Sequence, residues 1–242
     1  MISGLDHLVI LANDLDQATR DYGRLGFKVT PGGEHADGLT RNVLITFRDG
    51  SYLEIVAFLD PGDPRDNVWG WRRFAATGGL IDHCLASDDL ASDVQRMREA
   101  GFRVEGPDDG GRRLPDGEEI RWRSARIRQD GWLLPFLIED LTPRASRVPA
   151  GKAADHSNGA TGVSTLEIPA PDPREAARSY ARLVGNQTAL EGGEPADRLG
   201  RCKVSFAGSP VAGPAAVGLL TGTGRTRELD ADLTHGARIR LG

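Results

Sequence analysis

The stretch LDHLVILANDLDQATRDYGRLGFKV (residues 5–29) returns, one residue shorter, as IDHCLASDDLASDVQRMREAGFRV (81–104). Asp-His recurs at 6–7 and 82–83. An apolar strand pattern follows each, then an Asn/Asp turn, then a helical stretch. Both copies end at Gly-Phe-basic-Val, at 26–29 and 101–104. A chain that repeats a strand–turn–helix unit this closely folds twice into one supersecondary structure, and each copy must bury its apolar face against a neighbour.

The local chemistry agrees. The strand pattern stops at AND or SDD, where Asp14 or Asp88 can accept hydrogen bonds from helix N–H groups. Ala18, Tyr22 and Leu25 fall at helical spacing in the first helix, and Leu90, Val94 and Met97 in the second. Gly26 and Gly101 can close the helices in the left-handed conformation. Two further strands, 42–47 and 51–58, flank the turn at 48–50; 120–127 and 132–139 flank 128–131. Each copy therefore reads strand–helix–strand–strand–strand. A weaker third copy starts at GVSTLEIPAPDPREAARSYARLVG (162–185), with RCKVSFAG, AAVGLLTG and ARIRL as its strands. Residues 142–161, rich in Pro, Ala, Gly and Ser, read as a linker.

Composition narrows the function. With 242 residues, a net charge of −5 and 39% hydrophobic residues, the chain reads as a globular protein and not as a nucleic-acid binder. No apolar run approaches the roughly 18 residues that span a membrane. MISGLDH lacks the basic and apolar segments of a signal peptide. Cys84 and Cys202 show no ligand spacing, so a reduced, cytoplasmic setting is expected. Neither a phosphate-binding Gly loop nor a Ser or Cys nucleophile motif is present.

The segments LDHLVI (5–10), GGEHADGLTRN (32–42), YLEIVAF (52–58), GLIDHCLASDDL (79–90), IRWRSA (120–125) and PFLIED (135–140) resemble the vicinal oxygen chelate superfamily, and within it the glyoxalase-like domain proteins. The resemblance implies an α+β fold of tandem βαβββ modules, 3–60 and 79–141, forming an open, cupped barrel within residues 1–141. The third, degenerate module at 162–242 would complete a sheet or an interface, which leaves a homodimer open. The superfamily commonly holds a metal in the cup, on ligands from the first and last strands of each paired module. Its reactions on small oxygen-rich molecules include those of lyases, isomerases and dioxygenases. Other members sequester drugs without metal.

The residues point to the same place. His7 shares a strand face with Leu5 and Val9, and Glu54 with Tyr52, Val56 and Phe58. A carboxylate in such an apolar strand is costly without a cation or basic partner. His83 is the repeat equivalent of His7. His7, His83 and Glu54 thus form a candidate metal set for Fe, Mn, Ni, Co or Zn, with Glu54 also the candidate for catalysis. Aligning Gly50 with Gly131 places Pro135 opposite Glu54, so the fourth ligand is missing; Glu139 would serve only in a shifted strand. In the glycine-rich loop, His35, Thr40, Arg41 and Asn42 either hold or protonate substrate or satisfy turn backbone. His35 is the second catalytic candidate; Thr40, Asn42, Tyr52 and Trp122 are the substrate-binding ones. WGWRRF (69–74) reads as an amphipathic connector or an anion-stacking cluster. Cys84 is assigned to the core, facing away from the site; His156 and His235 are expected to be incidental. Glutathione-dependent chemistry has no signal.

Overall fold

The computed structural model describes residues 1–114, 117–128, 134–185, 196–210, 216–222, 224 and 226–242, with backbone alone at 196 and 197. The first module contains β1 (Ile2–Leu11), α1 (Leu15–Arg24), β2 (Thr30–His35), β3 (Thr40–Thr46) and β4 (Tyr52–Phe58). The second contains β5 (Gly79–Ser87), α2 (Leu90–Glu99), β6 (Arg103–Arg113), β7 (Glu119–Arg128) and β8 (Phe136–Asp140). Part of the expected 128–131 turn and the start of the 132–139 strand lie outside the described residues.

The eight strands close into a barrel in the order β1-β4-β3-β2-β6-β7-β8-β5. The expected cup is therefore a closed ring, but one seam is short: β2 and β6 share only the pairs Glu34–Arg113 and His35–Arg112. β1 is buried on both faces, which explains its nearly unbroken apolar run. Val9 and Leu11 point into the barrel with Val56, Phe58, Trp122, Phe136 and Ile138. Leu8 and Ile10 point outward, under α1 and α2.

The helices begin and end as their sequences dictate, with one shift. Asp14 accepts from the N–H groups of Asp16 and Gln17, both at 2.9 Å. In the second module the cap is Asp89, which accepts from Ser92 N–H at 3.1 Å, and not Asp88. Gly26 and Gly101 take φ of 88° and 89°, the left-handed turn that ends each helix.

The third module contains β9 (Ala160–Ala170), α4 (Pro173–Val184), β10 (Ala196–Leu199), β11 (Cys202–Gly208), β12 (Ala216–Thr221), β13 (Arg227–Glu228) and β14 (Arg238–Leu241). Its sheet runs β10-β11-β9-β12-β14-β13. Leu166, Ile168, Val204, Phe206 and Val217 share one continuous apolar cluster with the outer face of the barrel. The other face, with Thr165, Glu167, Lys203 and Ser205, is polar and partly or fully exposed. No helix among the described residues is long and apolar enough to cross a membrane.

The 142–161 segment is more than a tether. It holds a single turn of helix, α3 (Arg144–Arg147), and a 3-10 turn at Gly151–Ala154. Its Arg147 is 2% exposed. His156, expected to be incidental, is wedged against the barrel: its Nδ1 accepts from Lys28 N–H at 2.9 Å and its Nε2 lies 2.9 Å from the Thr46 carbonyl. His235 stacks on Tyr22 and stands 3.3 Å from Asp21 Oδ2.

Candidate active site

Glu54 is the centre of the barrel's polar interior and is 5% exposed. Its strand neighbour across β3 brings Asn42 to it, and β1 brings His7. His7 Nε2 lies 3.2 Å from Glu54 Oε2. His35 Nε2 lies 3.3 Å from Glu54 Oε1, and Asn42 Nδ2 donates to the same oxygen at 2.5 Å. The outer ring nitrogens are held as well: His7 Nδ1 lies 2.6 Å from Asp6 Oδ1, and His35 Nδ1 lies 2.8 Å from Thr40 Oγ1. Tyr52 stacks on His7 with centroids 4.6 Å apart.

Asp6 anchors this arrangement. It is an extra residue in β1, where the register with β5 passes from Leu5–Leu85 to His7–Cys84. The bulge turns Asp6 and His7 toward the same interior. Arg147 reaches in from α3, with Nη1 on Asp6 Oδ1 at 3.0 Å and on Tyr52 Oη at 2.7 Å, and Nε on Asp140 Oδ1 at 2.5 Å. Arg144 Nη1 also bonds Asp6. Burial opposes ionisation of Asp6, but the charges of and hydrogen bonds from Arg147 and His7 together outweigh it and hold the carboxyl well below the usual range. Burial likewise opposes the Glu54 charge, and the hydrogen bonds from His35 and His7 overcome it. For His7, burial favours the neutral ring, yet hydrogen bonds to Asp6 and Glu54 raise its pKa above the usual value. His7 thus sets one ring nitrogen against each of two carboxylates.

Two glycines make the packing possible. A Cβ on Gly32 would stand 1.9 Å from Asn42 Oδ1, and one on Gly110 would stand 2.5 Å from Trp122 Nε1. Each module leaves one strand bare so that a side chain of the next strand can lie across it. The remaining cavity, about 30 Å³, is lined on one side by His7, His35, Glu54 and Arg112 and on the other by Trp69, Trp71, Trp122 and Phe136.

The structure brings together His7, His35, Thr40, Asn42, Tyr52, Glu54 and Trp122, and excludes His83. Leu8, not His7, pairs with His83, so the second histidine faces outward. There its Nε2 lies 3.1 Å from the Tyr180 hydroxyl of α4, and burial lowers its pKa to about 3. Cys84 takes the inward position opposite His7, correcting its assignment to the far face. The slip has a simple cause: side chains alternate along a strand, so one extra residue exchanges the faces. Pro135 also does not stand opposite Glu54. Since His7 pairs with Tyr52 and Cys84 with Phe136, the position matching Glu54 is Ile138, and Glu139 points the other way. Arg41 faces outward, to Asp16. The Trp69–Trp71 connector packs its rings inward, stacked 4.9 Å apart, and closes one side of the cavity.

Sequence reasoning missed Asp6, Arg112, Asp140 and Arg147. Arg112 follows Gly110-Gly111 as Glu34 follows Gly32-Gly33, and Glu34 is exposed, so the repeat does not single Arg112 out. Arg147 carried no signal, because it lies in a segment with linker composition.

Among the described residues, one trio has ligand atoms all within 4.8 Å of each other: Asp6, His7 and Cys84. It suits a cation poorly. Both Asp6 oxygens already hold guanidinium groups, and burial raises the Cys84 pKa well above the usual thiol value. His7, His35 and Glu54 are the better donor set. Two imidazoles and a carboxylate suit a divalent transition metal, and each ring has its Nδ1 fixed by a neighbour, as ligating histidines generally do. One imidazole stands at each carboxylate oxygen, so the set would contract on an ion.

This fold is that of the vicinal oxygen chelate superfamily. The chain belongs to its glyoxalase-like domain family: the model described as "Glyoxalase-like domain" matches residues 5–184. No curated protein matches the chain by sequence. Among solved structures, a hypothetical protein from Staphylococcus aureus aligns over 98% of both chains with a TM-score of 0.81 and 14% identity. A xylose isomerase-like TIM barrel/4-hydroxyphenylpyruvate dioxygenase fusion protein gives 0.51 at 17% identity, over 91% of this chain and 37% of that one. Methylmalonyl-CoA epimerase from Mycobacterium tuberculosis gives 0.47 at 23% identity, over 60% of this chain and 93% of that one. At these identities the likeness is one of fold.

Proposed function

We propose that the chain is an enzyme acting on a small oxygen-rich molecule inside the 1–141 barrel, with lyase, isomerase or oxygenase outcome. One observation carries this reading: Glu54 is ionised, buried and clamped between two imidazoles at a cavity wall. The fold does not require it, since the matching position of the second module is Ile138. Burying a charge costs several kcal/mol unless it is paired, so the cluster is there for chemistry.

His7, His35 and Glu54 would hold a divalent ion (Fe, Mn, Ni, Co or Zn). When bound, the ion supplies Lewis-acid polarisation of neighbouring substrate oxygens. The chain's own groups do the rest. Asn42 donates to Oε1 and fixes the plane of the Glu54 carboxylate. Thr40 steadies the His35 ring at Nδ1 and leaves Nε2 as its ligating atom. Tyr52 and Asp6 hold the His7 ring. Trp69, Trp71 and Trp122 exclude water. Both cysteines are free and buried, which suits a reduced, cytoplasmic compartment. A homodimer through the third module would rest on polar contacts and strand edges, because the open sheet face is polar.

The test is elemental analysis of protein purified without chelator, followed by reconstitution. About one ion per chain is expected in wild type, with loss in His7→Ala and Glu54→Gln. Metal uptake should release protons, since His7 must become neutral to ligate. Metal binding no tighter in wild type than in His7→Ala would sink the reading. It would favour the metal-free binding protein instead, which has its own support: Cys84 and Ile138 fill the second module's positions that match His7 and Glu54.

A further inference from the structure

Arg112 has no role in the chemistry above, yet it is 6% exposed and lines the cavity. β6 places it directly across from His35, at the short seam between the modules. Its Nη2 donates to the Arg147 carbonyl at 2.7 Å and its Nη1 to Asn42 Oδ1 at 3.4 Å. Its Nε is buried and has no hydrogen-bond partner. Among the described residues no carboxylate forms an ion pair with it. The neighbouring guanidinium differs: Arg147 is saturated by Asp6 and Asp140. Burying an arginine with no carboxylate on its guanidinium is expensive, and burial lowers its pKa although the Glu54 charge opposes this. Trp69 Nε1 is a second buried donor without a partner, on the same cavity.

Two orphan donors, one of them cationic, call for an acceptor that carries negative charge. Planar guanidinium groups match carboxylates. The cavity of about 30 Å³ admits a group of that size and not an aromatic ring. Phe136 and Ile138 offer a short apolar wall. We propose that Arg112 is the carboxylate-binding residue of the barrel, and that the ligand is a short aliphatic carboxylic acid whose carboxylate enters the cavity. This deepens the reading of the barrel as the active site by naming the substrate class.

The experiment titrates the full chain with acetate, glyoxylate and pyruvate, following tryptophan fluorescence and the thermal midpoint. Acetamide and inorganic phosphate serve as controls. Saturable binding of the carboxylates is expected, with acetamide silent and phosphate at least tenfold weaker. Arg112→Gln should weaken binding at least tenfold. Arg112→Lys keeps the charge, loses Nε and should fall between; circular dichroism reports whether each variant folds, and the lysine variant decides if the glutamine one does not. The assignment is overturned if no carboxylate binds, if acetamide or phosphate binds as well, or if the folded variants bind like wild type. An ion bound without carboxylate preference would sink this proposal and spare the metal reading. Carboxylate binding in protein that takes up no metal would do the reverse.

Discussion

Asp6-His7 and Asp82-His83 are the same dipeptide at the same place in two copies of one module, and they have opposite fates. Asp6 is held ionised by Arg147; Asp82 accepts from the Trp71 indole at 2.9 Å, and burial raises its pKa to about 7. His7 faces the interior, where hydrogen bonds to Asp6 and Glu54 outweigh burial and raise its pKa; His83 faces out against α4, where burial lowers its pKa to about 3. Duplication supplied a scaffold twice, while a bulged residue in each strand, Asp6 in β1 and Ile81 in β5, set which side chains turn inward. The carboxylate–imidazole cluster lies on the first module, and the matching positions of the second are Cys84 and Ile138.

The largest way to break this contrast is Arg147→Ala. It strips Asp6 and Asp140 of their cation and should cost about 3–5 kcal/mol of unfolding free energy in urea. A loss under about 1 kcal/mol would show that Arg144 suffices. Next is Asp82→Asn. A carboxyl raised from 3.8 to about 7 contributes stability that is complete below 3.8 and gone above about 7. Wild type should therefore lose about 1.4 kcal/mol per pH unit across that window relative to Asp82→Asn. Parallel stability–pH curves for the two proteins would refute the neutral Asp82. Tyr180→Phe should cost about 1–3 kcal/mol, because it removes the partner of His83 Nε2 while Nδ1 is already unpaired. Metal content and ligand binding should not change; if they do, His83 communicates with the site. Cys84→Ala is the mildest, about 1 kcal/mol, with metal content unaltered. Loss of metal there would restore the Asp6–His7–Cys84 trio as a ligand set.

Much of this was legible in the sequence. Repeat, strand order, helix stops and the convergence of His7 with Glu54 follow from alternation and periodicity, which report on local geometry. His83 was misplaced because the repeat aligns letters, whereas a bulge shifts faces without changing letters. Pro135 was misassigned for a related reason: the turn before β8 sets the register, and an alignment on Gly50 and Gly131 does not measure it. Arg147 was invisible because its burial comes from tertiary contacts with Asp6, Tyr52 and Asp140 that no local pattern encodes.

The β2–β6 seam has one more consequence. The ring is fastened there by a clasp of two residue pairs, and those pairs contain both His35 and Arg112. Short pairings open at lower free energy than the strands around them. Unfastening the clasp would withdraw an imidazole donor and an anion holder in the same movement. Admission of a ligand and assembly of the machinery that acts on it would then be a single event, and the amide protons of residues 34, 35, 112 and 113 would be the place to time it by hydrogen exchange.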